Sequence, residues 1–545
     1  MTIEFASALF VYIAFLAFAA KRLMTYMHVL QQEDYLNERL WKWIVANKAF
    51  DKRLTPAFLA LGAIGFANVI PPFFISFLIF VCFALIAYLE RDPRKKAKKK
   101  LVLTTRAKRI YFPALALMAV SGVWCFYSGN VLFWIINVQI VGLALLLVNS
   151  FLHPFEAAIQ NSYWKEAKSK IDQFQPTVIG ITGSFGKTSV KHILGHILKS
   201  QAPTLITPGS VNTPMGITRI IREQLDETHK YFVVEMGAYG PGSIAKLCKL
   251  APPDFGIITA IGHAHYERFK SLETVSEAKF ELAEAVIENN GKTVIHERTL
   301  RYQNGRDMKL ENPDSFIVCG EPPEIDPEKR RDVSYLENGD WHIDSIQQLP
   351  KGLEISISHR KKSYRFDVPL YGIHHGHNAA LAIVFALQID IDPSAIMQAL
   401  KSLPQIEHRL EVKKQPDGSR LIDDAYNSNP LGFRSALDLM AIIKTESGRN
   451  ILITPGMVEL GSAHDEVHEK IGVYAGEICD VAIVVASKRI PTFVAGFKKG
   501  GAGKTLLEVD SFEDATKWLN DNRKSGDIIL LENDLPDIYE RVPKM

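Results

Sequence analysis

Apolar residues are not spread evenly along this chain. Before residue 151 they gather into long runs: Phe5–Ala20, Pro56–Ile70, Phe73–Glu90, Ile110–Ser128 and Val131–Ser150. A helix needs about 20 apolar residues to cross the hydrocarbon of a bilayer. Phe73–Tyr88 and Val131–Val148 carry no charge at all, and they are the clearest spans. Pro56–Ile70 is short and runs into Pro71-Pro72, which reads as one half of a re-entrant hairpin. No small-residue cleavage site follows the first run, and further apolar runs do, so it reads as a span and not as a signal peptide. After residue 176 the texture changes. Pro176–Thr182 is a short apolar run of strand type, and Val190, Ile193, Leu194, Ile197 and Leu198 then recur at helical spacing. Lys230–Gly237 and Phe255–His265 are two more strand-like runs with polar residues at their ends.

Charge gives the apolar runs a direction. Lys21, Arg22, Arg39, Lys42, Lys48, Lys52 and Arg53 fall in the 21–55 segment. The 91–109 segment is denser still, with Arg91, Arg94, Lys95, Lys96, Lys98, Lys99, Lys100, Arg106, Lys108 and Arg109. Residues 1–4, the Pro-Pro turn and Gly129-Asn130 hold none. Basic loops stay on the cytoplasmic side. Five spans with the N-terminus outside therefore place both basic segments, and everything after residue 151, in the cytoplasm. Over all 545 residues the net charge is only +3, and nothing global points to a nucleic-acid partner. Cys82, Cys125, Cys248, Cys319 and Cys479 are odd in number, scattered and without a CxxC pair. That pattern suits reduced thiols and neither a disulfide framework nor a zinc site.

The candidate chemistry begins at Gly183-Ser-Phe-Gly-Lys-Thr-Ser189, set between the strand-like run and the helix. Strand, glycine turn, Lys-Thr and helix is the context a phosphate loop needs. Glycines let backbone N–H groups close around phosphate oxygens, and the helix N-terminus adds partial positive charge. Gly183, Ser184, Gly186 and Ser189 would line the turn, Lys187 would reach the β- and γ-phosphates, and Thr188 would hold Mg2+. Ile181 stands where the longer form of the motif has glycine, so the match is to T-G-x-x-G-K-[TS]. In an open parallel sheet, ligands gather beyond the carboxyl ends of the strands. Glu235 and His265, at two such ends, would then sit beside the loop as further Mg2+ ligands.

T-G-S-F-G-K-T-S, V-V-E-M-G-A, A-H-Y-E-R-F and E-A-K-F-E together resemble the Mur ligases, ATP-dependent amide-forming enzymes of peptidoglycan synthesis. The resemblance covers residues 176–545. It implies a P-loop-type parallel-sheet ATPase domain at 156–404 and a Rossmann-like α/β domain at 405–545, behind a helical membrane region at 1–155. It implies ATP as cofactor and Mg2+ on Thr188, Glu235 and His265. Asn212, in Gly209-Ser-Val-Asn-Thr-Pro-Met-Gly216, matches a position at the edge of the active site. Lys279 falls where many members carry a carbamylated lysine. His374 and Asn378, in Gly372–Ala382, match the helix start that approaches the adenine, with His375 in place of the usual first Asn. Arg409 matches an arginine that reaches back to the phosphates. Ala260 departs from the usual Asn.

Leu421-Ile-Asp-Asp-Ala-Tyr-Asn-Ser-Asn-Pro430, followed by Met457-Val-Glu-Leu-Gly461 with His464 and His468, is most similar to the branch that adds D-alanyl-D-alanine to UDP-N-acetylmuramoyl-tripeptide. On that reading Asp424 meets the ribose. Asn427 and Asn429 either contact substrate or are turn residues. The implied partners are the UDP-sugar peptide, the dipeptide, the lipid bilayer and other cell-wall synthesis enzymes. The family's small UDP-binding N-terminal domain has no visible counterpart, and apolar spans occupy its place. Alternatives are a membrane-bound, polyglutamate-type ligase with a different or lipid-linked acceptor, and a transporter with a regulatory NTPase domain. The two clearest spans lack the intramembrane charges a conduction path usually needs.

Overall fold

The computed structural model describes residues 3–67, 70–90, 92–96, 100–262, 269–321, 340–425, 428–458 and 460–533. The chain divides into two compact units, with the break between Asn161 and Ser162.

The first unit is helical. Among the described residues, four helices are long and apolar enough to cross a membrane: Phe5–Gln32, Pro72–Lys95, Thr105–Ser128 and Val131–Phe174. A fifth apolar helix, Leu54–Phe66, has 13 residues. At 1.5 Å per residue it reaches only ~20 Å, short of the ~30 Å hydrocarbon thickness. Phe15, Phe18, Phe58, Phe83 and Trp134 interlock in one core. Phe66, Trp124 and Phe151 lie on the outside. So much exposed aromatic surface suits hydrocarbon better than water.

One expectation changes here. Lys21 and Arg22 do not open a loop, because the first helix runs on to Gln32. Arg22 is wholly buried. Its Nε donates to Glu90 Oε1 at 2.7 Å and its Nη2 to Asp51 Oδ2 at 3.1 Å. The guanidinium also lies 5.0 Å from the Phe18 ring, one turn earlier on the same helix face. Asp51 Oδ1 in turn accepts the N–H groups of Arg53 and Leu54 at the start of the short helix. Arg22 thus joins three segments through paired charge.

Among its described residues the second unit carries two sheets. The larger has nine strands: β1 (Thr177–Thr182), β2 (Thr204–Ile206), β3 (Tyr231–Glu235), β4 (Phe255–Ile258), β5 (Lys292–His296), β6 (Phe316–Cys319), β7 (Trp341–Leu349), β8 (Gly352–His359) and β9 (Lys362–Val368). Their order is β2-β3-β1-β4-β5-β6-β7-β8-β9, parallel as far as β7 and antiparallel from there to β9. Both faces of the parallel part are covered, which explains its near-continuous apolar strands. Ile179, Ile181 and Val233 face the helices Lys187–Lys199 and Ile373–Gln388. Val178, Phe232 and Val234 face Pro214–Gln224 and Leu272–Glu288. The alternation is the period of two that a strand imposes.

The smaller sheet comprises β10 (Glu411–Lys414), β11 (Arg420–Asp424), β12 (Asn450–Thr454), β13 (Val481–Val485), β14 (Thr505–Val509) and β15 (Ile528–Glu532). Its order is β10-β11-β15-β12-β13-β14, with only the β10–β11 pair antiparallel.

Replacing Arg22 with Ala would leave Asp51 buried without its cation and Glu90 with only Arg53, at 3.7 Å. Breaking such a pair costs about 3–5 kcal/mol. We expect a clearly lower thermal midpoint for the helical unit of detergent-purified Arg22→Ala, followed by circular dichroism. An unchanged midpoint would contradict the structural role given to this network.

Candidate functional site

β1 ends in a turn that only glycine tolerates at two places. Gly183 has φ +145° and Gly186 has φ +84°. A Cβ on Gly183 would strike Thr259 Oγ1, and one on Gly186 would strike Asn378 Oδ1. The turn is braced from the neighbouring strand end. Ser184 N–H donates to Ala260 O at 2.6 Å, and the Ser184 hydroxyl both donates to Gly262 O and accepts from Gly262 N–H, each at 3.0 Å. Lys187 opens the following helix and folds its ammonium back onto Gly183 O at 2.7 Å. Burial holds the Lys187 ammonium below its usual range; Glu235 works against that shift and Arg409 adds to it.

Glu235, at the end of β3, is 1% exposed and is the hub of the site. Its Oε2 accepts the Thr188 hydroxyl at 2.9 Å and the Lys191 ammonium at 3.0 Å. Its Oε1 accepts Asn212 Nδ2 at 3.1 Å, and its backbone N–H donates to Thr207 Oγ1 at 3.1 Å. Burial alone would raise this carboxyl, but Lys191 and Lys187 outweigh burial and hold it below the usual carboxylate range. Sequence reasoning missed Lys191, Thr207 and Tyr239. Lys191 also donates to Gly209 O, and Tyr239 donates to Asn212 Oδ1 at 3.3 Å. Lys191 lies one turn beyond Lys187 on the same helix face, a spacing that could have flagged it.

Gly183, Ser184, Lys187, Asn212, Tyr239 and Lys279 line one small cleft. Lys279 is buried on the helix Leu272–Glu288, and burial, then Lys187, holds its ammonium well below the usual range. Asn378 sits against Gly186. Arg409 is close enough to add to the positive field on Lys187, Lys191, His374 and His375. The structure therefore brings Gly183, Ser184, Gly186, Lys187, Thr188, Asn212, Glu235, Lys279, Asn378 and Arg409 into one region, while Ser189 is buried in the first turn of the helix. His265 and Asn427 lie outside the described residues.

These side chains fit a Mg2+–nucleotide. The glycine turn leaves room for phosphate where a Cβ would intrude, and two hard oxygen donors, the Thr188 hydroxyl and the Glu235 carboxylate, meet beside it.

The C-terminal residues play more mixed parts. The Asn429 side chain caps the helix Pro430–Ile442, accepting Gly432 N–H at 3.0 Å. His468 accepts Met457 N–H at 3.0 Å and steadies the loop after β12. Asp424 is buried at the end of β11, in register with Glu532 on β15. Burial pushes the Asp424 carboxyl up to about 6, against the pull of Arg409. Burial, then Asp424, pushes Glu532 well above the usual range, although Ser428 donates to its Oε1. Among the described residues Glu532 Oε2 has no hydrogen-bond partner. His408, Glu411 and Asp423 could converge on a metal, but the Lys413 ammonium already lies 2.9 Å from both carboxylates.

A buried polar cluster at the carboxyl ends of a parallel sheet is where α/β enzymes hold their ligands. Two family models match this chain: the Mur ligase middle domain over residues 181–386 and the Mur ligase glutamate ligase domain over residues 408–532. Together they span more than half of it, and the chain belongs to the Mur ligase family. Among its relatives is the UDP-N-acetylmuramoyl-tripeptide--D-alanyl-D-alanine ligase of Buchnera aphidicola subsp. Baizongia pistaciae. That enzyme is 29% identical over 312 residues, which cover 57% of this chain and 63% of the relative. The enzyme of the same name from Bacillus subtilis is 26% identical over 367 residues, covering 67% and 75%. A crystal structure of MurF ligase from Thermotoga maritima in complex with ADP superposes with a TM-score of 0.55 at 25% identity, over 69% of this chain and 80% of that one.

The Asp424–Glu532 pair makes a signed prediction. Folded-state values raised above the unfolded ones mean that the fold binds more protons. The stability these groups contribute is complete below their unfolded values, near pH 4, and is lost as pH rises, through about 6 for Asp424 and further up for Glu532. Glu532→Gln removes one of the like charges. Its thermal midpoint should exceed that of the wild type at pH 8, and the gain should shrink toward pH 4. A variant less stable at pH 8, or a gain independent of pH, would refute this account of two buried carboxyls of like charge.

Proposed function

We propose that this chain is an ATP-dependent amide ligase that adds D-alanyl-D-alanine to UDP-N-acetylmuramoyl-tripeptide. It would be held by several spans in the cytoplasmic membrane, with its catalytic domains in the cytoplasm. The observation that carries the reading is the Glu235 hub beside the Gly183–Thr188 turn, in a chain of this family with D-D-x-Y-N-x-N-P at residues 423–430. On this reading residues 1–155 form the membrane region, 156–404 the P-loop-type domain and 405–545 the Rossmann-like domain. The basic 21–55 and 91–109 segments support a cytoplasmic placement.

The reaction joins a carboxylate to an amine. A carboxylate oxygen of the acceptor attacks the γ-phosphorus, and ADP leaves. The dipeptide amine then attacks the acyl carbon, and inorganic phosphate departs with the acyl oxygen. The protein's share is alignment and charge neutralisation, because the phosphoryl step asks little covalent work of side chains. The backbone of Gly183, Ser184 and Gly186 cradles the phosphates. Lys187 turns its ammonium from Gly183 O to the β- and γ-phosphates. Thr188, Glu235 and His265 would hold Mg2+, which when bound neutralises charge on the phosphate oxygens. Asn378 approaches the adenine, Asp424 the ribose, and Arg409 supplies a second cation from the C-terminal domain. Lys279 and Asn212 face the acyl end, and Asn427 and Asn429 belong to the dipeptide side. Closure of the C-terminal domain would exclude water from the acyl phosphate.

The direct test incubates purified protein with ATP, Mg2+, D-alanyl-D-alanine and UDP-N-acetylmuramoyl-tripeptide. The expected product is the pentapeptide, in amounts equal to ADP, with Lys187→Ala slower by at least about a hundredfold. ADP release only with another amine or a lipid-linked acceptor would overturn the substrate assignment. Undiminished turnover by Lys187→Ala would overturn the site.

A further inference from the structure

Arg409 sits between two residues in left-handed backbone conformation, His408 at φ 58° and Leu410 at φ 52°. Histidine is among the types that visit this region, but leucine is not, so something outside the turn must hold Leu410 there. The consecutive aspartates at the end of β11 do so. Asp423 Oδ2 lies 2.9 Å from the His408 ring at Nδ1. Asp424 Oδ1 accepts the Leu410 N–H at 3.2 Å. Each flank of Arg409 is pinned by one aspartate.

The rest of the loop is braced as well. His408 N–H donates to Glu411 Oε2 at 3.2 Å, and Gln405 Oε1 accepts Val412 N–H at 2.7 Å. Lys413 lies 2.9 Å from both Asp423 and Glu411 and offsets one of their two negative charges, which leaves one in excess beside the His408 ring. Leu410 is buried in the C-terminal core, and its side chain lies against Gly372, just before the helix Ile373–Gln388. A core anchor on one side and a ring contact on the other leave Arg409 a narrow range of directions. Its charge is felt at Lys187 and Lys191.

We propose that Asp423 and His408 are positioning residues, which hold a strained turn so that Arg409 meets the phosphates of the nucleotide. The inference rests on the ligase reading for the role of Arg409, but it concerns different atoms. The double aspartate then works mechanically. Asp423 reaches Arg409 through His408, and Asp424 fixes the far flank.

A double-mutant cycle tests this with full-length protein. Asp423→Asn, Arg409→Ala and the double variant are compared for Mg2+–ADP dissociation constant and for turnover. Asp423→Asn alone should weaken ADP binding and slow turnover by on the order of tenfold, and should change either less than about twofold when Arg409 is already Ala. The same fold loss in both backgrounds would mean a general structural role and would overturn the proposal. Should Asp423→Asn fail to fold, His408→Gly permits the turn without the ring contact and enters the same cycle. Its loss should likewise vanish in the Arg409→Ala background. If the wild type forms no product, the ligase reading fails, and the ADP-binding cycle still decides the clamp.

Discussion

Everything around the phosphate turn depends on one buried carboxylate being fully compensated. Glu235 has almost no access to water, yet it stays below the usual carboxylate range because Lys191 and Lys187 surround it. An ion pair buried this deeply gives little net stability, since desolvation offsets most of the attraction. What it gives is geometry. Through Glu235 the end of β3 is tied to the first turns of the helix Lys187–Lys199 and, by Asn212, to the segment after β2. Lys191 closes the ring by holding Gly209. Any element that moved would leave a charge or a donor unmatched in a dry interior, which is the costly outcome.

The same device appears twice more, put to different ends. In the helical unit Arg22 links its own helix to Asp51 and Glu90 by bonds that water cannot easily replace. In the C-terminal domain Asp424 and Glu532 lie side by side, and burial and their like charge push both carboxyls upward, toward the protonated form. Cation, guanidinium and proton are three answers to one problem: a charged side chain removed from water needs a partner.

What the sequence shows follows from how local each signal is. The strand, glycine turn and helix of the phosphate site are contiguous, and their periodicity can be read directly from residues 176–199. The apolar runs of the first 150 residues are equally plain, and the structure has long helices there. Arg22 shows the limit. Read locally, it is a loop charge that marks a membrane side. Its partners lie 29 and 68 residues away, and they draw it into a helix. Lys191 is similar: its bond to Glu235 crosses 44 residues, so nothing within the helix explains its charge. The strand end at Asp424 was legible, but its like-charged neighbour Glu532 arrives only when β15 inserts between β11 and β12.

The central claim is that the Glu235 hub builds a seat for a Mg2+-bound nucleotide. The most direct measurement is the ADP dissociation constant as a function of Mg2+ for the wild type and for Glu235→Gln, which keeps the shape and removes the charge. The account predicts tightening with Mg2+ in the wild type and loss of at least about tenfold of that tightening in the variant. Identical Mg2+ dependence in the two proteins would contradict it.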